Sequence, residues 1–421
     1  MSGLSFLRRM SLQKIRKSSK DLPEESIPEP IPPPETQTVL LLHAARQPYE
    51  VTHDYPVPQI KQDDEVLVKT HAIGLNPVDW KSPDFNFGLP TLPYISGREL
   101  SGTVLRSPSN PRLKPSDRVL VISTDYRDLR KAAYQHYVVA STHNTVRLPS
   151  HLTFEEGSTL GVAFVAAALS LSICMGLDFT PLGGPDILSI LRSLPHDTLA
   201  ADIRSECLEG IQPHERAAPG DWLAVWGGSS TSANLTIQLA KLAGLRTVSV
   251  VDKAKHGLRL SNHESIATDL LVDSHDPSRA VDIIRANLGG KLRFGIDTRG
   301  RESATSLLGA LSTGHVEGAL PSPPSTPKHD KVLGAHLIGL TGLPKGEAPE
   351  GVVYHTVPIK VFHEVKEVGE ALCVWLERLL AEGLVKPPEI IDVEEGLGSV
   401  NGALDRMRRG EISGGKLVVR V

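Results

Sequence analysis

The sharpest local signal in the chain is the stretch LAVWGGSSTSANLTIQLAKLAG, residues 223–244. A short apolar strand runs into Gly227 and Gly228, and an amphipathic helix follows a cluster of hydroxyl side chains. The cluster consists of Ser229, Ser230, Thr231 and Ser232. Glycine lets the backbone turn tightly and approach a ligand, a helix N-terminus offers free amides to an anion, and a hydroxyl can cap the helix. The stretch therefore predicts a strand–turn–helix unit that binds a pyrophosphate.

The glycine pattern of this turn departs from the usual G-x-G-x-x-G fingerprint of a dinucleotide-binding turn. Ala233 stands near the place of the third glycine, so an ordinary strand–helix turn remains the alternative. Asp252 ends the next predicted strand, TVSVVD, where an acid accepts the ribose hydroxyls of NADH. Three basic residues follow it: Lys253, Lys255 and His256. Because they can pair with the 2′-phosphate of NADPH, the pattern leaves both cofactors open.

Strand and helix patterns alternate from Gly220 onward. The predicted strands are WLAVWG, TVSVVD, LLVD, RFGIDT, a weak one near Gly314, and AHLIGLT. The predicted helices lie near residues 230–243, 255–266, 277–288, 302–311 and 364–382. Strands that alternate with helices form a parallel sheet covered on both faces, so this half is predicted to be a doubly wound α/β domain.

The N-terminal half carries a different pattern. Order is expected to begin near Thr38, and short β segments separated by Pro, Gly and Asn follow. These segments are VLLLHA, EVLVKTHAIGL, SGTVLR, DRVLVIS and YVVAS. They predict a compact β-rich barrel, and the tail 386–421 returns to β character in its last strand, KLVVRV.

Three further segments lie between or within these halves. Residues 155–177 are rich in Ala and Leu and predict one long buried helix. Residues 178–219 exceed the usual length of a connection and are interpreted as a lid or a surface excursion. Residues 316–331, VEGALPSPPSTPKHDK, predict a flexible surface loop.

Length and composition exclude several classes of protein. With 421 residues the chain is long enough for two domains with extensions. Its 45 basic and 49 acidic residues give a net charge of −4, which offers no electrostatic reason to expect a nucleic acid partner. No apolar run reaches the roughly 20 residues of a membrane-spanning helix. The three cysteines are far apart, which argues against a disulfide framework and a Cys-rich structural zinc site.

The N-terminus leaves two interpretations open. The first 20 residues contain arginines, lysines and serines but no acid, a composition typical of a mitochondrial transit peptide and also of a disordered basic tail. Residues 21–35 are rich in Pro and Glu and predict an extended linker. We expect a cytoplasmic protein, with a mitochondrial location as the alternative.

Several motifs in order resemble one enzyme superfamily. GLNPVDWK at 74–81, PYISGRELSGTV at 93–104, PSDRV at 115–119, the turn at 226–241 and the closing segment 380–421 are similar to the medium-chain dehydrogenase/reductase superfamily. Within it, the chain resembles the fungal branch of zinc-free quinone-oxidoreductase-like and trans-acting enoyl reductases. The resemblance implies a GroES-like β-barrel catalytic domain and a Rossmann cofactor domain.

This resemblance also predicts where the domains begin and end. Residues 1–37 are expected to form an extension, 38–170 the GroES-like domain, and 171–379 the Rossmann domain. Residues 380–421 are expected to return to the catalytic domain.

The motifs depart from zinc enzymes of the superfamily at two positions. Asn76 stands where the zinc-dependent alcohol dehydrogenases have Cys, and Arg98 stands where they have His. Neither is a good zinc ligand, so no catalytic metal is expected. Phe87 stands where the mitochondrial enoyl-thioester reductases have a proton-donating Tyr, and a phenyl ring cannot donate a proton.

Lys81 is the leading candidate for polarising a substrate carbonyl, with Asn76 and Asp79 beside it on the same motif. The alternatives are a solvent-exposed or phosphate-binding lysine, a turn-forming Asn76, and an Asp79 that braces the loop. Arg98 and Glu99 are interpreted as a structural ion pair.

These residues together predict a zinc-independent, NAD(P)H-dependent oxidoreductase. It would reduce a polarised C=C or C=O of a small molecule, such as a quinone, an enone or an enoyl thioester, by hydride transfer. The resemblance favours NADPH, and Asp252 leaves NADH possible. The alternative is a non-catalytic nucleotide-binding scaffold or regulatory relative. The chain is expected to be a monomer or a homodimer.

Overall fold

A computed structural model of the protein describes residues 32–108, 110–315 and 332–421. The predicted basic N-terminal segment and the predicted loop 316–331 lie outside the described residues. Residues Pro33–Val421 form one compact unit that contains two large sheets.

The first large sheet comes from the N-terminal half and the chain end, as predicted. The elements of this half are β1 (Thr36–Leu41), β2 (Glu50–Pro56), β3 (Glu65–Gly74), α1 (Pro77–Phe85), β4 (Glu99–Arg106), β5 (Arg118–Ile122), β6 (Tyr137–Ser141) and β7 (Thr145–Arg147). β1 and β2 pair with each other as a two-stranded antiparallel sheet. Strand β3 lies at the centre of the larger sheet and pairs antiparallel with both β4 and β6.

The predicted long helix at 155–177 is interrupted. It consists of α2 (Phe154–Gly157), α3 (Gly161–Leu169) and a π-helical turn, Ser170–Cys174. By length and composition Phe154–Cys174 could cross a membrane, which corrects the expectation that no run is long enough. However, 94% of its most apolar window is buried inside the fold, and α3 packs against a helix of the second half. We interpret it as a core helix.

Residues 178–219 are neither a lid nor a surface excursion, contrary to both predicted alternatives. They form α4 (Ile187–Ser193) and α5 (Ala201–Glu209), which pack into the main hydrophobic core. The buried side chains of this insertion include Ile187, Leu191, Leu199 and Ile203. Apolar residues at helical spacing give each short helix a face to bury, so the insertion enlarges the core.

The second half is the predicted parallel sheet. Its elements are β8 (Trp222–Trp226), α6 (Thr231–Leu242), β9 (Arg246–Val251), α7 (Lys253–Asn262), β10 (Leu270–Asp273), α8 (Pro277–Leu288), β11 (Leu292–Asp297), α9 (Arg301–Ala310), β12 (Gly314–His315), β13 (Val332–Leu333), β14 (Ala335–Gly339), β15 (Val352–His355), α10 (Val361–Glu364) and α11 (Lys366–Ala381). The sheet order is β10-β9-β8-β11-β14-β15, and every described pair in it is parallel.

Two strands differ from the prediction. The weak strand near Gly314 is β12, but it pairs antiparallel with β13 in a separate two-stranded sheet. The edge position of the parallel sheet belongs to β15, which the sequence pattern missed. It has only four residues and follows a Gly- and Pro-containing stretch without a preceding helix, so neither length nor alternation marks it.

The chain end returns to the first sheet, as the closing segment predicts. Its elements are β16 (Ile390–Glu395), α12 (Val400–Arg408) and β17 (Lys416–Arg420). Strand β17 pairs antiparallel with β3, where Val418 faces Gly74. This pairing places the residues before β17 beside the carboxyl end of the parallel sheet.

Candidate active site

A cleft of 380 Å³ lies at the carboxyl end of the parallel sheet. The chain winds outward through β9 and β10 on one side of β8, and through β14 and β15 on the other side of β11. The point between β8 and β11 is therefore the topological switch point, where open α/β sheets bind their ligands. The cleft is lined by the turn after β8, the loop after β11, α7, and residues 407–416 of the closing segment.

The two glycines of the turn are required by close packing. Gly227 has a φ of +80°, and a Cβ there would lie 2.4 Å from Thr298 Oγ1. A Cβ on Gly228 would lie 2.7 Å from Ser249 Oγ. The amides of both glycines donate to Val250 O, at 3.0 and 3.2 Å. These amides hold the turn against β9, so the donors left for a phosphate come from the next residues.

The hydroxyl cluster divides into structural and available groups. Ser230 caps α6, because its Oγ accepts from the Ala233 amide at 3.1 Å and contacts Thr298 Oγ1 at 3.0 Å. Ser229 and Thr231 line the cleft, whereas Ser232 does not. Ala233 is fully buried at the place of the missing glycine. The N–H groups in the first turn of a helix have no acceptors within the helix. In α6 these amides lie at the cleft together with the hydroxyls of Ser229 and Thr231.

The acid and the basic residues after β9 also take different places. Asp252 lines the cleft and caps α7, since its Oδ1 accepts from the Lys255 amide at 3.0 Å. Lys255 and His256 line the cleft with it, but the exposed Lys253 does not. His256 Nε2 lies 2.8 Å from Ser413 Oγ in the closing segment, and burial lowers the pKa of this imidazole. Only part of the predicted basic cluster therefore reaches the cleft.

A buried ion pair at the wall of the cleft was missed by the sequence analysis. Lys416, which lines the cleft and is 3% exposed, pairs with Glu99, which is fully buried. Glu99 Oε1 also accepts from Asn76 Nδ2 at 2.9 Å, and its Oε2 accepts from the Val162 amide at 3.0 Å. The available signal was a lysine directly after two glycines, at the start of the closing strand KLVVRV.

The predicted pairing of Arg98 with Glu99 is wrong. The Arg98 guanidinium carbon lies 6.0 Å from the ring centroid of Tyr94 and 5.6 Å from that of Tyr126. Consecutive residues of an extended chain point to opposite faces, which separates Arg98 from Glu99 at the start of β4. The carboxylate instead meets the lysine brought in by β17.

Asn76 and Asp79 stabilise the start of α1. This is the structural role that the sequence left open as the alternative to a catalytic role for each residue. Asn76 is the N-cap residue, and its amide donates to Asp79 Oδ2 at 2.8 Å. Asp79 is 1% exposed, and burial raises its pKa to about 6, although the hydrogen bond from the Asn76 amide acts in the opposite direction. Tyr49 further holds this turn by donating to Asp79 O at 2.7 Å.

Lys81 lies on α1, outside the residues that line the cleft. Its Nζ is 5.7 Å from the ring centroid of Trp80, and no ion pair or hydrogen bond holds it within the described part of the chain. Pro77 does line the cleft, and residues four apart share a helix face, so Lys81 lies one turn beyond the wall. Phe87, expected at the place of the tyrosine of mitochondrial enoyl-thioester reductases, is 48% exposed.

Comparisons with known proteins agree with this architecture. The model of the alcohol dehydrogenase GroES-like domain matches residues 62–150. Trans-enoyl reductase caaB of Aspergillus niger is 30% identical over 397 residues, which cover 92% of this chain and 98% of that protein. Trans-enoyl reductase resD of Aspergillus sclerotiorum is 28% identical over 397 residues, covering 88% and 96%.

Solved structures show the same fold. Mycobacterial Rv1454c complexed with NADPH superimposes with a TM-score of 0.66 at 17% identity, over 91% of this chain and all of that one. An alcohol dehydrogenase superfamily protein from Novosphingobium aromaticivorans gives a TM-score of 0.66 at 17% identity, over 92% of this chain and all of that one. The match to the Aspergillus reductases over nearly the whole chain, together with the GroES-like domain, shows that the chain belongs to the zinc-free branch of the medium-chain dehydrogenase/reductase superfamily.

Proposed function

We propose that this protein is a zinc-independent, NADPH-dependent enoyl reductase. The observation that carries the proposal is the cleft at the switch point, which is lined by both halves of the chain and by the predicted phosphate-binding turn. The names of the trans-enoyl reductase relatives support a C=C conjugated to a carbonyl as the bond that is reduced. A thioester of a 2-enoic acid is the substrate class that we infer.

The donors at the cleft fit a nicotinamide dinucleotide. The free amides of α6 with Ser229 and Thr231 suit the pyrophosphate, and Lys255 lies beside Asp252 where the adenosine ribose would bind. The cleft volume of 380 Å³ falls within the range of about 300–1,000 Å³ typical of ligand pockets. NADPH bound in this cleft would supply a hydride to the β-carbon of the enoyl group, and the α-carbon would take a proton from solvent, giving the saturated thioester and NADP⁺.

The protein contributes binding, orientation and charge. Negative charge develops on the thioester oxygen as the hydride arrives, and a fixed cation at that oxygen lowers the barrier. We propose Lys81 for this position, because no described ion pair or hydrogen bond holds its ammonium and its helix begins at Pro77 in the cleft wall. Since Lys81 lies one turn beyond that wall, its side chain must extend toward the cleft when the substrate binds. Asn76 and Asp79 position α1 rather than contact the substrate.

Steady-state NADPH oxidation tests the proposed activity. The panel contains the crotonyl thioester of N-acetylcysteamine, 2-cyclohexenone and a quinone, each with NADPH and with NADH. We expect turnover of the thioester with NADPH. Binding of NADPH, seen as increased fluorescence of the nicotinamide, without its consumption by any member would instead support a scaffold.

Substitutions then separate the roles of the lysines. Lys81→Ala should reduce kcat at least about tenfold, because a side chain that donates to the reacting group typically accelerates the reaction on the order of a hundredfold or more. The Kd for NADPH should not change, since Lys81 is proposed to contact the substrate and not the cofactor. Unchanged kcat would remove Lys81 from the mechanism. Lys255→Ala should raise the Kd for NADPH, and Lys253→Ala on the same helix is the matched comparison, since that side chain lines no part of the cleft.

Cofactor preference depends on Asp252. If its carboxylate accepts the ribose hydroxyls, Asp252→Ser weakens NADH binding relative to NADPH, because removing the acid also removes its repulsion of a 2′-phosphate. The ratio of the two dissociation constants measures this effect. A ratio that does not change would place the ribose away from this residue.

A further inference from the structure

A second cluster of chemically active side chains lies away from the cleft. Cys174 ends the π-helical turn, Glu206 lies on α5, and His355 ends β15. One ligand atom from each residue lies within 4.8 Å of the other two. Cys174 and His355 are fully buried, and the Glu206 side chain is 17% exposed. Three elements that are distant in sequence thus bring a thiol, an imidazole and a carboxylate to one point.

The imidazole of His355 is held from both sides. Its Nδ1 lies 2.7 Å from Glu206 Oε1, and its Nε2 lies 2.9 Å from Nδ1 of the buried His336. His336 is itself stacked on Phe294, with ring centroids 5.3 Å apart. A histidine that binds a metal through one nitrogen usually donates its other N–H to an acceptor that fixes the ring. His336 Nδ1 is placed to be that acceptor.

The charges in the cluster favour a divalent cation. No lysine or arginine of the described residues lies within 4.0 Å of Glu206, whose carboxylate is hydrogen-bonded to His355 Nδ1. Buried charges are tolerated when they are paired or bind a metal. One thiolate, one carboxylate and a neutral imidazole balance the two charges of a zinc ion, and these are the ligand types that zinc prefers.

We propose that Cys174, Glu206 and His355 form a zinc site, with a water molecule as fourth ligand on the partly exposed side of Glu206. Tetrahedral bonds of about 2.0 Å to N and O and about 2.3 Å to S separate ligand atoms by roughly 3.3–3.6 Å. The shortest separation, 2.7 Å between Glu206 and His355, must widen by roughly 0.6 Å. Metal binding therefore requires a shift of the Glu206 side chain, the partly exposed member of the three.

The three ligands lie outside the residues that line the cleft, so a metal bound there would not contact the substrate of the proposed reduction. It would join the helical insertion at 178–219 to the edge strand of the parallel sheet. No metal is expected from the sequence, because Asn76 and Arg98 are poor zinc ligands and the three cysteines are far apart. The three ligands proposed here follow no spacing motif, since Glu206 and His355 are 149 positions apart.

Cobalt(II) titration of the chelator-treated full-length protein tests the proposal. Cobalt bound by a thiolate gives an intense charge-transfer absorption that oxygen and nitrogen ligands do not give. We expect this band to saturate at one equivalent, zinc to displace it, and zinc to raise the Tm. Cys174→Ala should remove the band, and His355→Ala and Glu206→Gln should remove the Tm increase.

Two further variants make the result specific to these ligands. Cys207→Ala removes the neighbouring buried thiol of α5, which is not part of the group, and should retain the band. His336→Ala should keep the band but reduce affinity about 10–100-fold, as loss of a partner that orients a metal ligand does. Circular dichroism shows whether each variant folds. A missing band in the wild type, or equal zinc stabilisation of folded wild type and His355→Ala, would overturn the proposal.

Discussion

Replacing Lys416 by Met should destabilise the protein more than the loss of any exposed ion pair. The substitution keeps the length and apolar stem of the side chain and removes its ammonium. Lys416 is 3% exposed and Glu99 is fully buried, so solvent cannot replace the missing charge. Glu99 retains hydrogen bonds from Asn76 Nδ2 and the Val162 amide, which are neutral donors.

The expected loss is about 3–5 kcal/mol in the free energy of unfolding, the range found when one partner of a buried pair is removed. Most of this cost comes from the carboxylate that stays buried without a cation. The double variant Glu99→Gln/Lys416→Met should therefore regain part of the stability, because glutamine buries no charge and its one amide oxygen still accepts one of the two hydrogen bonds. The two substitutions are expected to be strongly non-additive.

Urea unfolding of wild type, both single variants and the double variant gives this coupling. Arg406→Met is the control, since Arg406 pairs with Asp392 at the surface and should lose far less. A Lys416→Met loss as small as that of the control would refute the reasoning, as would additivity of the two substitutions at the buried pair. Either result would mean that water reaches this wall of the cleft.

Gly227→Ala should raise the Kd for NADPH at least about tenfold, because the added Cβ would lie 2.4 Å from Thr298 Oγ1. Gly290→Ala is the control: its φ is also positive, but no atom lies within 4 Å of the added Cβ, so the Kd should not change. Asp79 has a folded-state pKa of about 6 against an ordinary 3.8, so stability falls as pH rises through this window. The free energy of unfolding should fall by about 3 kcal/mol between roughly pH 4 and pH 6. Urea unfolding measures this decrease, which the Asp79→Asn variant should not show. Leu191→Ala should lower the free energy of unfolding by about 2–5 kcal/mol and leave the Kd for NADPH unchanged, because this side chain is 1% exposed in the core. An unchanged free energy of unfolding would favour the lid interpretation of residues 178–219.

Local patterns predicted much of the fold. The strands and helices between Trp222 and Ala310 appear within a few residues of their predicted bounds, because alternation and helical periodicity are properties of consecutive residues. The two glycines after β8 likewise marked the turn. The same patterns failed for β15, which is short, and for residues 178–219, whose apolar faces find their partners only in the folded core.

Side-chain pairing followed a different rule. Glu99 was expected beside its sequence neighbour Arg98, but its partner Lys416 lies 317 positions away. Lys253 and Lys255 are close in sequence, yet only Lys255 faces the cleft. The direction of a side chain depends on the element that carries it and on how that element packs.

The strand–turn–helix at 223–244 and the parallel sheet that it opens could be predicted from the amino-acid sequence alone. Each of these follows from residue type and short-range spacing. The long-range contacts between polar side chains depend on the tertiary structure. Lys416 pairs with Glu99 at the cleft, and Glu206 is hydrogen-bonded to His355 near Cys174. These contacts contribute strongly to stability, because a buried charge without a partner is energetically costly. The partner comes from a distant part of the chain, so no local sequence pattern predicts it.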